Sequence, residues 1–237
     1  MNVTVIGTGR AGTSFSLALA SVGHEVQLLT HRELGLVHSP DVVLLCVPDD
    51  EIANVAREIA PSNDVVIAHV AGSRTLDVLG PHSRVGSLHP LMTLPSGELG
   101  ATRLLGATYC VSGDEVVVYL AASLGGRVIT IGDEQRTLYH ATATAASNHL
   151  VALMGHVQRL AQGAGLALED FLDLSRQALE DVSLLGPELA LTGPASRGDV
   201  ATVDAHLAAI PEAERSTYVA LAHAAFELAE GRSSRIA

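Results

Sequence analysis

The side chains able to do chemistry in this sequence gather in a few short segments. Gly7-Thr8-Gly9-Arg10-Ala11-Gly12 spells G-x-G-x-x-G between a β-branched run and a helical stretch. In that setting the first glycine permits a tight turn. The second lets the backbone approach a pyrophosphate, and the third lets the helix pack on the strand. The unpaired N–H groups that open the helix, with their partial positive charge, suit phosphates. Gly7, Thr8, Gly9, Arg10, Ala11 and Gly12 are therefore the expected dinucleotide-binding loop. Arg10 is either a further phosphate partner or a solvated arginine. A turn required by sterics alone, with no nucleotide, is the competing reading of the whole motif.

A dinucleotide site discriminates at the tip of its second strand, which here reads Thr30-His31-Arg32, with Glu33 beyond. No carboxylate stands at the tip to accept from a ribose 2′-OH. Thr30, His31 and Arg32 suit a 2′-phosphate, because Arg offers a planar fork of donors. NADP(H) is the expected cofactor in preference to NAD(H). Val47-Pro48 and Ala71-Gly72 end the next two strands and should line the nicotinamide side. Asp49 and Asp50 read as a helix cap with an acidic first turn, or as further rim residues.

The substrate side has its own candidates. Ser87-Leu88-His89-Pro90 closes the fifth strand, so His89 and Ser87 should face the same cleft. An imidazole there can orient a carboxylate or give up a proton near neutral pH, or it can simply hold a loop. A long helix is expected from Asp133 to about Gly163. At about 100° per residue, His140, Thr144 and Asn148 advance by roughly 40° a step and form one polar stripe. Tyr139 lies roughly 180° from Asn148, off that stripe. A polar stripe on an apolar helix either packs against polar groups or lines a cleft. Arg197, in the Gly/Pro-rich segment 191–199, either reaches a substrate carboxylate or stands beside Asp199 as that residue caps the next helix.

These residues need elements to position them. Strands are expected at 2–7, 25–30, 41–47, 64–70, 84–88, 107–112 and 127–131, with helices at 11–22, 50–59, 74–79 and 114–124. Val42 to Val47 and Val65 to Ala68 are continuous apolar runs, as in strands covered on both faces. Alternation of strand and helix implies a parallel sheet between helical layers. After residue 132 the chain is helical, with helices near 168–184, 199–208 and 211–230. The expected fold is α/β: a Rossmann-type doubly wound parallel sheet over 1–132, then a smaller all-helical substrate and dimerisation domain over 133–237.

Composition removes several function classes. The 237 residues include 26 acidic and 14 basic ones, a net charge of −12, and every basic residue is Arg. No basic stripe for nucleic acid is visible, nor a basic amphipathic helix for membranes. With no Lys in the chain, a lysine proton donor or Schiff base is excluded. Cys46 and Cys110 sit in apolar runs and read as inert buried thiols. No metal-ligand spacing occurs. The chain starts directly in a strand, so no signal peptide and a cytoplasmic location are expected.

Together these segments resemble the 6-phosphogluconate-dehydrogenase-like reductases, in which a Rossmann domain precedes a helical one. More closely, the chain looks like a bacterial group of Rossmann-like oxidoreductases whose C-terminal half is a domain of unknown function. The matching pieces are Gly7 to Gly12, Val47 to Asp50, Gly86 to Leu91, Tyr139 through Asn148, and Leu191 to Pro194 with Arg197 to Asp199. His89-Pro90 is similar to the His-Pro motif of prephenate dehydrogenases. Asn148 is similar to the helical Asn of ketopantoate reductases and β-hydroxyacid dehydrogenases. Those enzymes carry a Lys about four residues earlier, where this chain has Thr144. The resemblance implies an NADPH-dependent reductase, expected as a homodimer. It would act on a C=O or C=N of a small carboxylate, a ketopantoate-like 2-oxo acid first and an imine next. His140 or His89 would supply the proton, Asn148 would hold the polarised atom, and Arg197 would anchor the carboxylate. The alternative is a non-catalytic NADP(H)-binding sensor or scaffold.

Overall fold

A computed structural model describes residues 1–37 and 40–236 of the chain. Seven strands carry the architecture: β1 (Asn2–Ile6), β2 (Glu25–Leu29), β3 (Val42–Leu45), β4 (Val66–His69), β5 (Val85–Pro90), β6 (Thr108–Gly113) and β7 (Arg127–Thr130). They form one sheet in the order β2-β1-β3-β4-β5-β6-β7. The first five strands are mutually parallel, as the apolar runs imply. Helices α1 (Arg10–Ser21), α2 (Ile52–Glu58), α3 (Gly97–Leu104) and α4 (Glu115–Ser123) link them. The stretch expected as a helix at 74–79 is a 3-10 turn, Leu76–Leu79. The fold is α/β and Rossmann-type, with a helical part after the sheet.

The sheet departs from the wholly parallel expectation at one place. β6 runs antiparallel to β5, and β7 then runs parallel to β6. At the turn-back, the N–H of Leu91, just past β5, donates to the Thr108 carbonyl at 2.8 Å. β6 therefore starts beside the end of β5. The intervening α3, a helix absent from the elements expected of the sequence, packs on α1 and never crosses back to the far edge. Gly97 and Gly100 permit that approach, since a β-carbon on either would crowd Thr13 or Ser14.

Two apolar layers cover the sheet. One buries Val3, Val5, Leu44, Ala68, Leu88, Tyr109 and Val111 against Phe15, Leu19, Val117 and Leu120 of α1 and α4. The other buries Ile6, Val43, Leu45 and Ile67 against Ile52, Val55 and Ala56 of α2.

Two compact units divide at Ser147/Asn148, fifteen residues later than the boundary expected at 132/133. Helix α5 (Arg136–Thr144) accounts for the difference, because its side chains bond to the sheet. The single long helix expected over 133–163 is interrupted. A 3-10 turn precedes α5, a π turn at Ala145–His149 follows it, and α6 (Leu150–Gly163) resumes. A π turn advances less than 100° per residue, so the wheel that aligned Asn148 with His140 does not hold across it.

The second unit is all helical: α6, α7 (Glu169–Leu185), α8 (Pro187–Ala190), α9 (Gly193–Ser196), α10 (Val200–Ala209) and α11 (Glu212–Ile236). One ionic cluster joins α6 to α11. The Glu214 carboxylate accepts from Arg159 Nε at 2.5 Å and Nη2 at 3.0 Å, and bonds His156 Nδ1 at 2.6 Å. These bonds hold the Glu214 carboxyl well below the usual range, at about 2.

Candidate functional site

The glycine loop has the geometry its spacing implies. Gly7 has φ +116°, and a β-carbon there would strike the Cys46 carbonyl. A β-carbon on Gly12 would strike the Gly7 carbonyl and crowd Cys46 Cβ. These two glycines are fixed by the protein's own backbone. Gly9 is different: a β-carbon there would meet nothing within 4 Å. Gly9 is the N-cap of α1, without a capping side chain and with no acidic residue in the first turn. Thr8, Gly9 and Arg10 are exposed, and Ala11 is half-buried. The helix thus opens its N–H groups onto free space, as an anion requires. The residues present fit a dinucleotide pyrophosphate.

At the tip of β2 the structure corrects the reading of Thr30. Its N–H and Oγ1 both donate to Glu33 Oε2, at 2.9 and 2.7 Å. The hydroxyl proton expected for a 2′-phosphate is committed to a carboxylate. Those two bonds also hold the Glu33 carboxyl below its ordinary range. His31 and Arg32, exposed on the 3-10 turn His31–Leu36, remain as donors. The signal was present in the sequence: Thr30-x-x-Glu33 is a capping-box spacing.

Beyond β3 and β4 lie Val47-Pro48 and Ala71-Gly72. Asp49 caps no helix. It accepts from Ser73 Oγ at 2.5 Å and ties the two loops together. Gly72 marks where the candidate catalytic groups converge. A β-carbon there would lie 2.7 Å from His89 Cε1 and Nε2, and 2.9 Å from His140 Cδ2. The two imidazoles are 6.4 Å apart, centroid to centroid. His89, His140 and Gly72 are therefore neighbours at the carboxyl end of the sheet. Thr144 lies one turn further along α5 from His140 and is half-buried.

A buried polar layer supports His89. Register pairs Ser87 with Ser112 and His89 with Cys110 across β5 and β6, and His69 with Ser87 across β4 and β5. Side chains two apart on a strand share a face, so these five residues form one polar patch. α5 covers it. Arg136, only 1% exposed, donates from Nη2 to Ser112 Oγ at 2.6 Å and from Nη1 to Ser87 Oγ at 3.5 Å. One turn on, Tyr139 Oη lies 2.6 Å from His89 Nδ1, with the rings edge to face. Ser87, expected to line the cleft, is instead fully buried beneath Arg136.

Burial pushes His89 down to about 4, with His140 and Arg136 adding to the effect. His69, wholly buried, is likewise pushed to about 4. Both rings are neutral at neutral pH. Burial raises the Cys46, Cys110 and Tyr139 pKa values, so all three keep their protons. The sequence reading missed Arg136, Tyr139 and His69. Only the pairing of β5 with β6 beneath α5 brings them to His89.

Asn148 and Arg197 belong to the second unit. Asn148 is exposed within the π turn, and Arg197 is exposed just after α9. Asp199 caps α10, accepting from Thr202 N at 3.1 Å, so the capping reading of that residue holds. Among the described residues no group of three or more His, Cys, Asp or Glu side chains is placed to hold a metal ion. No described helix is long and apolar enough to cross a membrane.

Known proteins share this fold. BF3122 of Bacteroides fragilis, provisionally named an NADP oxidoreductase, is similar with a TM-score of 0.80 at 20% identity, over 95% of this chain and 98% of its own. Protein TM1727 of Thermotoga maritima is similar with a TM-score of 0.77 at 23% identity, over 98% and 99%. A reductive aminase from Aspergillus terreus, in complex with NADPH and ethyl-5-oxohexanoate, has a TM-score of 0.67 at 13% identity, over 95% and 93%. No curated protein matches the chain by sequence. Residues 108–225 match the family model of a domain of unknown function, DUF2520.

Proposed function

We propose that this protein is an NADP(H)-dependent oxidoreductase that reduces a C=O or C=N bond of a small carboxylate substrate. The observation that carries the reading is the placement of Gly72, His89 and His140 together at the carboxyl end of a sheet whose first turn is an open glycine loop. In open α/β sheets that edge is where ligands bind.

Gly7 to Gly12 would hold the pyrophosphate, with Gly9 leaving room and α1 supplying N–H donors. His31 and Arg32 would take the 2′-phosphate. Val47, Pro48, Ala71 and Gly72 would form the wall against the nicotinamide. When bound, NADPH supplies the hydride. The chain's own groups must then orient the acceptor and deliver one proton to its oxygen or nitrogen. His89, neutral, offers a hydrogen bond. His140, half-exposed beside it, delivers the proton.

Likeness to a reductive aminase supports the C=N reading over the 2-oxo acid. The lack of any Lys agrees, since the ketopantoate-type proton donor has no counterpart. We also propose that the protein works as a homodimer.

A panel of cyclic and acyclic imines and 2-oxo acids, followed by NADPH consumption, tests this reading. Turnover with at least one imine is expected, and His140→Ala should reduce it 100-fold or more while NADPH affinity changes less than twofold. NADPH binding without turnover of any panel member would favour the sensor or scaffold alternative.

A further inference from the structure

His89 makes a 2.6 Å hydrogen bond whose direction decides what it can do. An imidazole bonded at Nδ1 presents either an N–H donor or a bare lone pair at Nε2, depending on the tautomer. The Nε2 edge of His89 is the edge turned to Gly72. The partner of Nδ1 therefore sets the character of the candidate site.

Proton counting around Tyr139 gives the direction. The phenol lies between His89 Nδ1 and the Cys110 thiol, which is itself wholly buried. The Cys110 thiol is the other neighbour of the phenol oxygen. The phenol has one proton and two places to put it. Imidazole nitrogen is a strong acceptor, whereas thiol sulfur is a weak one. The favoured arrangement runs one way: Tyr139 O–H donates to His89 Nδ1, and His89 Nε2–H points outward. The reverse would leave a half-buried phenol proton facing sulfur, which costs free energy.

The surroundings keep the ring neutral. The charged and titratable groups that face His89 are Tyr139, His140, His69, Arg136, Asp49 and its cross-strand partner Cys110. Arg136, buried between Ser87, Ser112 and His89, opposes a second positive charge. Asp49 alone favours one, and its carboxylate is engaged by Ser73.

We propose that Tyr139 is a positioning residue that locks His89 as the Nε2–H tautomer, so that His89 meets the substrate as a neutral hydrogen-bond donor. This rests on the oxidoreductase reading only for what His89 then touches. It divides the labour between the two histidines: His89 polarises the acceptor atom, and His140 exchanges the proton.

The test is long-range 1H–15N correlation on full-length protein labelled with 15N-histidine. His89 is assigned by loss of its signals in His89→Gln. In the wild type, His89 is expected as a single Nε2–H tautomer from pH 6 to 8. In Tyr139→Phe it should become an averaged mixture, while NADPH affinity moves less than twofold. Cys110→Ala, which removes the competing acceptor beside the phenol, should leave the wild-type pattern, and a changed tautomer in it would overturn the direction assigned to the Tyr139 proton. An Nδ1–H tautomer in the wild type would overturn the proposal even if Tyr139→Phe failed to fold. An unchanged tautomer in folded Tyr139→Phe would overturn it as well. NADPH titration of the same samples separates the two claims. Failure to bind NADPH sinks the oxidoreductase reading and leaves the tautomer result standing. Normal binding with the wrong tautomer sinks this inference alone.

Discussion

Glu33 shows how one side chain changes the expected chemistry of another. Its carboxylate takes both donors of Thr30 and stands beside Arg32, the remaining candidate for a 2′-phosphate. A like charge near a phosphate disfavours it. Glu33→Gln is therefore expected to tighten NADPH binding several-fold while leaving NADH affinity nearly unchanged, and paired fluorescence titrations would check this. At this scale the sequence was readable wherever meaning is local. The glycine loop and the capping of α10 by Asp199 depend on neighbours a few residues away. Thr30-x-x-Glu33 is equally local: its capping-box spacing competes with a 2′-phosphate for the same Thr30 donors. Arg136 and Tyr139 are another matter. Their partners lie 24 to 50 residues away, and no local pattern announces them.

Among the elements, α5 matters most to the site. Its face at 136, 139 and 140 closes a polar half-sheet that α2 leaves uncovered, and Gly72 gives the two imidazoles room. Gly72→Ala should displace both rings. Turnover is expected to fall 10-fold or more with the fold intact, measured by NADPH consumption and circular dichroism. The α1–α3 contact supplies a stability counterpart. A β-carbon on Gly100 would lie 2.9 Å from Ser14 Cβ. Overpacking of this kind costs about 1–3 kcal/mol, so Gly100→Ala should lower the melting temperature by several degrees. The seven strands were visible as β-branched runs, but the antiparallel direction of β6 was not. An apolar run reads alike in either direction, and the Leu91–Thr108 bond at the turn-back joins residues 17 positions apart. The π turn was hidden for a similar reason: Ala-, Ser- and Asn-containing sequence fits an α or a π turn alike.

The whole molecule carries an imbalance between its two units. The first buries two layers of side chains on the sheet. In the second, the buried residues among those described are His156, Ala161, Ala195 and Val203. α7 has none, and Leu184, 80% exposed, stands there with Leu174, Leu179 and Leu185 also exposed. So large an apolar exposure is a mark of an association surface, and in the homodimer proposed above a second copy of the chain would cover it. Sedimentation should give a dimer at micromolar concentration, and Leu174→Asp with Leu185→Asp should shift it to monomer. The ionic cluster on Glu214 adds a pH signature. Its carboxyl falls from an ordinary 4.5 to about 2 in the folded protein. A lowered pKa gives stability that is complete above 4.5 and disappears as pH falls toward 2. The melting temperature of the wild type should therefore drop more steeply over that window than that of Glu214→Gln.

The most direct test of the oxidoreductase account is titration of the purified protein with NADPH and with NADH, followed by nicotinamide fluorescence. Saturable NADPH binding, at least tenfold tighter than NADH (about 1.4 kcal/mol), is the predicted result. Binding of neither nucleotide would contradict the account. NADH binding as tight as NADPH would remove the role given to His31 and Arg32.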